Sequence, residues 1–331
     1  MTDPRLDVLC IGNAIVDIIA DCDDAFLERE GLSKGMMRLI DAEEATRLYD
    51  HMGPAREVSG GSAGNTAAGI AALGGKAGFI GQVAPDQLGE FYRHDLTATG
   101  VEFTTPAQDF GVPTARSMIL VTPDGHRTMN TFLGAAQLLP SAALDERQIA
   151  DSGILYLEGY LWDPETPRYA MIRAIEVARS AGRKVAFTLS DTFCIDRHRE
   201  GFNQLIDGGR IDILFANEAE IMMLTGALNF ELAVEAVRGK VETLVVTRSE
   251  KGAIATQGGA RAEVAAEPVA RVVDTTGAGD LFAAGFLFGQ TQGRSLEESL
   301  RIGAIAAAEV ISHYGARPEA DLKALVAERL G

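Results

Sequence analysis

The sequence predicts an α/β fold in which helices cover both faces of a central, mostly parallel sheet, with a small β-rich lid attached. Strand-like apolar runs alternate with helical segments through most of the 331 residues, and a chain of this length can bury a sizeable core. Two segments interrupt that order: the first contains a short acidic helix, and the second has the alternating polar and apolar residues of β-hairpins. We therefore expect a large domain from residues 1–16, 53–102 and 134–331, and a lid from residues 17–52 and 103–133.

The elements of the large domain follow from local composition. Leu6–Ile11 is a short apolar run that ends at a glycine, and residues 164–181 form a helical pattern with a proline in its first turn and a glycine after its last residue. Later β-rich runs and helical patterns alternate, as a parallel sheet requires. The remaining strands are expected at 184–189, 211–215 and Thr243–Thr247, and the remaining helices at Glu218–Thr225, 277–292, 296–312 and 319–330.

The lid is expected to combine a short acidic helix with a hairpin. Residues 23–30 carry the helical pattern, and residues 114–121 and Arg127–Phe132 flank a Pro-Asp-Gly turn at 123–125. One lid formed by both excursions would exclude water from a reaction site, whereas the simpler alternative is two unrelated surface loops.

Composition and charge exclude several classes of function. Hydrophobic residues make up 47% of the chain and the formal net charge is −17, so binding to nucleic acid or to an anionic membrane is not expected in the absence of a basic cluster. The amino terminus lacks the pattern of a signal peptide. The three cysteines, Cys10, Cys22 and Cys194, have no disulfide or metal-site spacing. We expect a cytoplasmic enzyme acting on a small molecule.

The most informative motif is DTTGAGD at 274–280, which directly precedes an apolar run at 281–288. A glycine-rich turn before a buried helix leaves the first backbone N–H groups of that helix open to bind an anion. Asp280 lies in the first turn and can accept a proton. An anion hole beside a carboxylate base is suited to phosphoryl transfer onto a hydroxyl.

A second glycine cluster, GGSAGNTAAG at 60–69, can let a ligand approach the backbone. It is not a P-loop, because the lysine at 76 is followed by alanine and the first glycine of that motif is missing. Residues 12–17 likewise lack the second and third glycines of a dinucleotide-binding fingerprint. Taken alone, the cluster is as well explained by a tight turn and close helix packing.

Three further polar features have both a functional and a structural interpretation. Asp17 follows the first strand, where a carboxylate can bind two sugar hydroxyls or can be a solvated loop acid. The NEAE sequence at 217–220 starts a helix after a strand, where acids favour the helix dipole or reach Mg²⁺ through water. Arg127 can be an exposed lid charge or can close onto a transferring phosphate.

Together these motifs resemble those of the ribokinase-like, PfkB-type carbohydrate and nucleoside kinases, over nearly the whole chain and in the same order. Within that family the chain is most similar to adenosine kinases, through the segments GNAIVDI at 12–18, TFLGAA at 131–136 and DILFANEAE at 212–220. The segment GLSKG at 31–35 instead resembles bacterial inosine–guanosine kinases.

The resemblance implies ATP-dependent phosphorylation of the 5′-hydroxyl of a nucleoside, adenosine above all, by a monomer or homodimer that acts in purine salvage. Asp280 is implied to be the base, with the amides of Gly277, Ala278 and Gly279 as the anion hole and Arg127 meeting the phosphates. The residues implied to hold the ribose and its surroundings are Asn13, Asp17, Gly60, Gly61, Ser62 and Asn65, and the apolar residues implied to sandwich the base are Ile15, Leu39, Leu133 and Phe193.

The nucleotide side is implied in the same way. Asn217 and Glu220 are implied to organise Mg²⁺ and the phosphates of ATP. Asp274 and Thr276, with carbonyl groups near Gly315, resemble the monovalent-cation site, suited to K⁺, of some relatives. The residues implied to form the loop beneath the nucleotide are Thr247, Ser249 and Gly252, beside Thr276.

Four alternatives remain open at this point, and the first is an inosine–guanosine kinase, which the segment at 31–35 resembles. A sugar or phosphosugar kinase shares the motifs and differs in its acceptor pocket, where Arg38 and Arg116 favour it and the apolar residues at 36–40 and 131–136 favour a nucleoside. A non-catalytic nucleoside-binding protein would be expected to lack the base or the anion-hole glycines. An NAD-dependent enzyme is disfavoured by the incomplete fingerprint.

Overall fold

A computed structural model describes residues 4–331 of the chain. Fourteen strands lie within this range: β1 (Leu6–Ile11), β2 (Ile15–Asp21), β3 (Met37–Leu39), β4 (Ala55–Gly60), β5 (Ala77–Ile80), β6 (Glu102–Phe103), β7 (Ala115–Val121), β8 (Arg127–Phe132), β9 (Ser152–Glu158), β10 (Lys184–Thr188), β11 (Ile213–Asn217), β12 (Thr243–Thr247), β13 (Ala253–Gln257) and β14 (Ala260–Val264).

Twelve α-helices lie in the same range. They are α1 (Asp24–Glu30), α2 (Ala42–His51), α3 (Ser62–Ala72), α4 (Gln87–Ala98), α5 (Glu146–Ala150), α6 (Glu165–Ser180), α7 (Thr192–Asp207), α8 (Glu218–Thr225), α9 (Phe230–Val237), α10 (Ala278–Thr291), α11 (Leu296–Val310) and α12 (Leu322–Leu330).

The larger sheet has nine strands in the order β14-β13-β12-β11-β10-β9-β1-β5-β6. All neighbouring pairs from β12 to β6 are parallel, and β13 and β14 add an antiparallel hairpin at one edge. Separate apolar clusters lie on its two faces, one including residues of α3, α4, α10 and α11 and the other residues of α6 to α9. The predicted three-layer α/β class is therefore confirmed.

The smaller sheet has five strands in the order β3-β8-β7-β2-β4. It joins the two segments predicted to form the lid, and β7 and β8 form the expected antiparallel hairpin. One boundary differs: β4 lies in this sheet, although residues from 53 onward were assigned to the large domain. It pairs antiparallel with β2, with Ile15 opposite Gly60, and such pairing between segments distant in sequence leaves no local pattern. The division into two domains itself stays a prediction.

Helix α10, whose first turn carries Asp280, packs closely against α11. An added Cβ on Gly285 would lie 2.7 Å from the Cα of Gly303, so the two helices approach at backbone distance because both positions are glycine. Within residues 4–331 no helix is long and apolar enough to cross a membrane.

Candidate active site

Asp280 lies in the first turn of α10 and is held by two side chains from α3. Ser62 Oγ donates to Asp280 Oδ1 at 2.6 Å, and Asn65 Nδ2 donates to Asp280 Oδ2 at 2.9 Å. Burial raises the pKa of Asp280, and these two hydrogen bonds together with the charge of Arg317 act against that rise. A carboxylate that is oriented before any ligand arrives, and whose pKa is raised, is suited to accept a proton from a hydroxyl.

The turn before α10 leaves backbone donors open. Gly277 adopts a left-handed conformation with φ 78°, and an added Cβ there would lie 2.7 Å from the Cβ of Ala316. The N–H groups of Gly277 and Gly279 have no hydrogen-bond partner among the residues that the structure describes, and the space above Gly279 is open. The N–H group of Ala278 donates to the carbonyl of Thr275 at 3.3 Å, so it is less free than predicted.

Asp17 on β2 is opposite Val58 of β4, and its side chain extends over the neighbouring Gly60. An added Cβ on Gly60 would lie 2.4 Å from Asp17 Oδ2, so glycine is required for the carboxylate to stay where it is. Gly61 has φ 87°, and its Cβ would lie 2.1 Å from the carbonyl oxygen of Asn13. The predicted acceptor residues Asp17, Gly60 and Gly61 are therefore brought together by close backbone approach.

Burial raises the pKa of Asp17 to about 6, against the lowering effect of Arg127 and Arg317. The negative charges of Asp280 and Asp274 add to the rise. Asp17 and Asp280 therefore influence each other's protonation, and one region of the site holds both carboxylates.

Glu158 is a site residue that the sequence did not single out. It ends β9, its side chain is fully buried, and its carboxylate accepts hydrogen bonds from the N–H and Nδ2 of Asn13 and from the N–H of Ala63, at 2.7–2.8 Å. Burial raises the pKa of Glu158 to about 7. Asn13, predicted to bind substrate, is itself buried and directs its amide group to Glu158. The acid that ends the apolar strand at 152–158 is the signal that could have identified this residue.

Arg317 is a second residue that no sequence pattern indicated. Its guanidinium donates to the carbonyl of Gly64 at 2.9 Å and to the carbonyl and hydroxyl oxygens of Ser59, and its buried Nε has no hydrogen-bond partner among the described residues. It lines a cavity of about 150 Å³ together with Asp17 and Asn65. Arg56 from β4 also lines this cavity.

Arg127 and Asp274 form a buried ion pair between the small sheet and the turn before α10. The carboxylate of Asp274 also accepts hydrogen bonds from the N–H of Thr276 at 3.0 Å and from the N–H of Gly315 at 2.9 Å. The carboxylate assigned by resemblance to a monovalent cation thus has a guanidinium beside it. Arg127, expected at the phosphates, contacts the anion-hole turn instead.

Asn217 and Glu220 form a capping box at the start of α8. The side chain of Asn217 accepts from the N–H of Glu220 at 2.8 Å, and the carboxylate of Glu220 accepts from the N–H and Nδ2 of Asn217 at 2.9 and 2.6 Å. Burial raises the pKa of Glu220 to about 7. The motif therefore forms a helix cap, as its structural interpretation predicts. The polar atoms of both side chains are hydrogen-bonded to each other's residue.

The residues predicted beneath the nucleotide lie beside this box. Thr247 ends β12 directly opposite Asn217 in the strand register. Ser249 and Gly252 follow in the turn to β13, with φ values of 50° and 86°, and an added Cβ on Gly252 would lie 2.0 Å from the carbonyl oxygen of Val264. Polar residues, Asn217 and Thr247, thus lie side by side at the carboxyl ends of β11 and β12.

The donor set does not fit a metal held directly by the protein. No group of three or more possible ligands among His, Cys, Asp and Glu occurs in residues 4–331. The oxygens of Asn217 and Glu220 already accept hydrogen bonds from one another. These two side chains therefore do not fit direct ligation of Mg²⁺, which the kinase family implies as the partner of ATP.

The apolar residues predicted to sandwich a base are not part of the core. Leu39 on β3 is 59% exposed and Phe193 in the first turn of α7 is 70% exposed, while Ile15 and Leu133 are partly buried. Arg38 and Arg116, which favoured the sugar alternative, are engaged elsewhere: Arg38 pairs with Glu44 and Arg116 donates to Thr46.

Comparison with known proteins agrees with this geometry. The pfkB family carbohydrate kinase profile matches residues 6–322. The chain belongs to this family.

Solved structures and curated relatives divide between nucleoside and sugar kinases. An adenosine kinase from Sinorhizobium meliloti is 51% identical with a TM-score of 0.91, covering 99% of this chain and 100% of that one. A probable sugar kinase protein from Rhizobium etli is 48% identical with a TM-score of 0.91, covering 98% and 99%. A fructokinase from Salmonella typhimurium is 31% identical, covering 72% of this chain and 79% of its own length.

These relatives establish the class of enzyme. The kinase is a phosphotransferase with an alcohol group as acceptor. The predicted ribokinase-like fold is confirmed as well, because the structural matches cover nearly the whole chain.

Proposed function

We propose that this kinase transfers the γ-phosphoryl group of ATP to the 5′-hydroxyl of a nucleoside, with adenosine as the preferred acceptor. The observation that carries the proposal is the exposure of large apolar side chains on β3 and in the first turn of α7, above all Leu39 and Phe193. Exposed apolar groups of this size favour contact with a planar ring. The 51% identity with an adenosine kinase supports the same choice.

The reaction is an in-line displacement. The acceptor hydroxyl oxygen forms a bond to the γ-phosphorus, the bond from that phosphorus to the β–γ bridging oxygen breaks, and ADP leaves with the electron pair. The hydroxyl proton passes to the carboxylate of Asp280, whose orientation is fixed by Ser62 and Asn65.

Charge that develops on the transferring group is stabilised by backbone donors. The free N–H groups of Gly277 and Gly279 lie at the amino end of α10, where the helix dipole is positive. The small sheet, joined to this turn by the Arg127–Asp274 ion pair, excludes water so that ATP is not hydrolysed.

A sugar kinase is the second candidate, and one observation favours it. The cavity beside Asp17 is lined by Arg56 and Arg317, and guanidinium groups beside a hydroxyl-binding carboxylate suit an anionic sugar. Two of the nitrogens of Arg317 already donate to the backbone, which leaves less of its hydrogen-bonding capacity for a ligand.

An ATP-coupled assay across adenosine, inosine, guanosine, ribose, fructose and fructose 6-phosphate tests the proposal. We expect kcat/KM to be highest for adenosine. Turnover of the sugars without turnover of any nucleoside would establish the second candidate instead.

Substitution of the exposed apolar side chains sharpens this test. Leu39→Ser and Phe193→Ser are each expected to raise the KM for adenosine about tenfold, because each removes one large apolar contact. Leu228→Ser is the matched control, since Leu228 is 91% exposed and lies after the far end of α8. An equal KM in all three variants would contradict the base pocket.

A further inference from the structure

Glu158 is a fully buried carboxylate whose hydrogen-bond partners are all neutral donors. Its oxygens accept from the N–H of Asn13 at 2.8 Å, from Asn13 Nδ2 at 2.7 Å and from the N–H of Ala63 at 2.7 Å. Burying a charge without a counter-ion is costly, so the three donors must compensate together. A carboxylate that is buried at such a cost in free energy is expected to do more than pack in the core.

The hydrogen bond to Ala63 completes the amino end of α3. The residue before this helix is Gly61, which has no side chain to cap the free N–H groups of the first turn. Glu158, from the neighbouring strand β9, supplies the missing acceptor and places a negative charge at the positive end of the helix dipole. The orientation of the first turn of α3 thus depends on Glu158.

That same turn carries the two side chains that hold the proposed base. Ser62 precedes Ala63 and Asn65 follows it by two residues, and both donate to the carboxylate of Asp280 at 2.6 and 2.9 Å. A continuous path of contacts therefore runs from Glu158, through the backbone of Ala63, to Asp280.

The other carboxylate oxygen of Glu158, Oε1, contacts the segment that leads to Asp17. Asn13 follows β1 and leads within two residues into β2, the strand that carries Asp17. Close packing leaves the carboxylate little room to move, because an added Cβ on Gly12 would lie 2.3 Å from Glu158 Oε2. One buried side chain thus connects the segments that present both Asp17 and Asp280.

We propose that Glu158 is a positioning residue of the phosphoryl-transfer site, which fixes Asp280 through the first turn of α3 and Asp17 through Asn13 without touching the reacting atoms. This role rests on the proposed function of Asp280 as the base, and it applies to a nucleoside and to a sugar acceptor alike.

The isosteric change Glu158→Gln tests the proposal. The amide keeps the size of the side chain but replaces one accepting oxygen with an NH₂ group, which must face a donor N–H of Asn13 or Ala63. We expect kcat to fall about 10- to 100-fold, while the KM for ATP changes less than about twofold. A merely structural role would lower thermal stability and leave the kcat of the folded enzyme unchanged.

Asp212→Asn is the matched control. Asp212 accepts a hydrogen bond from the N–H of Val185 at 2.7 Å, but it lies at the amino-terminal edge of the same sheet, directly before β11. We expect its kcat to equal that of the wild type. Wild-type kcat in folded Glu158→Gln would overturn the proposal, as would an equal loss in both variants.

Amide hydrogen exchange provides a readout that needs no turnover. The N–H groups of Asn13 and Ala63 are expected to exchange at least about tenfold faster in Glu158→Gln than in wild type, and unchanged exchange would overturn the proposal. If the wild-type enzyme phosphorylates none of the acceptors, that result contradicts the proposed function and not the role of Glu158.

The variant Asn13→Ala is the alternative if Glu158→Gln does not fold. It removes one donor to Glu158 and is expected to lower kcat severalfold, and an unchanged kcat in this variant would also overturn the proposed role of Glu158.

Discussion

The proposed hydroxyl side of the site, around Asp280, and the proposed nucleotide side, around Asn217 and Glu220, are built in different ways. On the hydroxyl side, the carboxylate of Asp280 is held by Ser62 and Asn65, more than 200 residues away in the sequence. On the nucleotide side, Asn217 and Glu220 hold each other across a single helical turn. The hydroxyl side therefore depends on the tertiary fold, whereas the nucleotide side is formed by local sequence, and substitutions should affect the two sides differently.

The largest effect is expected from Asp280→Asn. The amide cannot accept the acceptor proton, so kcat should fall by at least about 10³-fold, with adenosine binding within a few-fold of wild type. Coupled kinetics and calorimetric titration measure the two quantities. Turnover within tenfold of wild type would show that another group is the base.

A smaller effect on the same side is expected from Gly60→Ala. The added methyl group would lie 2.4 Å from Asp17 Oδ2 and must displace that carboxylate, which should raise the acceptor KM about tenfold or more and leave the KM for ATP unchanged. Gly53→Ala serves as control, because no heavy atom lies within 4 Å of its added methyl group. Identical acceptor KM values for the two variants would refute the contact.

Asn217→Ala tests the nucleotide side. Loss of the helix cap should lower the free energy of unfolding by about 1 kcal/mol, and loss of the amide that orients Glu220 should raise the KM for ATP severalfold. Asn229→Ala removes the same kind of cap from α9, where Asn229 accepts from the N–H of Leu232. The control should show the stability loss alone; an equal KM for ATP in both variants would limit Asn217 to capping.

The smallest effect is a pH dependence of stability. Burial raises the pKa of Glu158 and of Glu220 to about 7, above the ordinary value of 4.5. The folded protein therefore binds more protons than the unfolded chain between these values, so its free energy of unfolding should rise as the pH falls from 8 to 5, by up to roughly 2.5 kcal/mol for each of the two groups. Chemical denaturation at several pH values measures this change, and Glu158→Gln should show a shallower slope. A fall in stability over the same interval would contradict the sign.

Local pattern predicted the helix starts and the hairpin turn well, while the nucleotide-binding role of residues 217–220 stays a prediction. Residues 274–280, the capping sequence at 217–220 and the hairpin around 123–125 each carry their information in consecutive residues, and the structure forms the expected helix starts and turn. The strand Ala55–Gly60 was not predicted as a strand, and its pairing with Ile15–Asp21, about 40 residues away, leaves no local signal.

The interior of the hydroxyl side could not be predicted for the same reason. The roles of Glu158 and Arg317 arise from contacts with Ala63 and Ser59, about 95 and 258 residues distant. The Arg127–Asp274 pair likewise joins the small sheet to the distant turn before α10. In each case the sequence contains the residue but no spacing that links it to its partner.

The pH dependence of kcat/KM for the acceptor most directly tests whether the hydroxyl side works as an ionised, pre-oriented site. Burial raises the pKa of Asp17 to about 6 and also raises the pKa of Asp280. Both groups must be deprotonated, to bind the hydroxyls and to accept the proton, so kcat/KM should fall as the pH drops through about 6. A value that stays constant from pH 8 down to 5 would contradict the account.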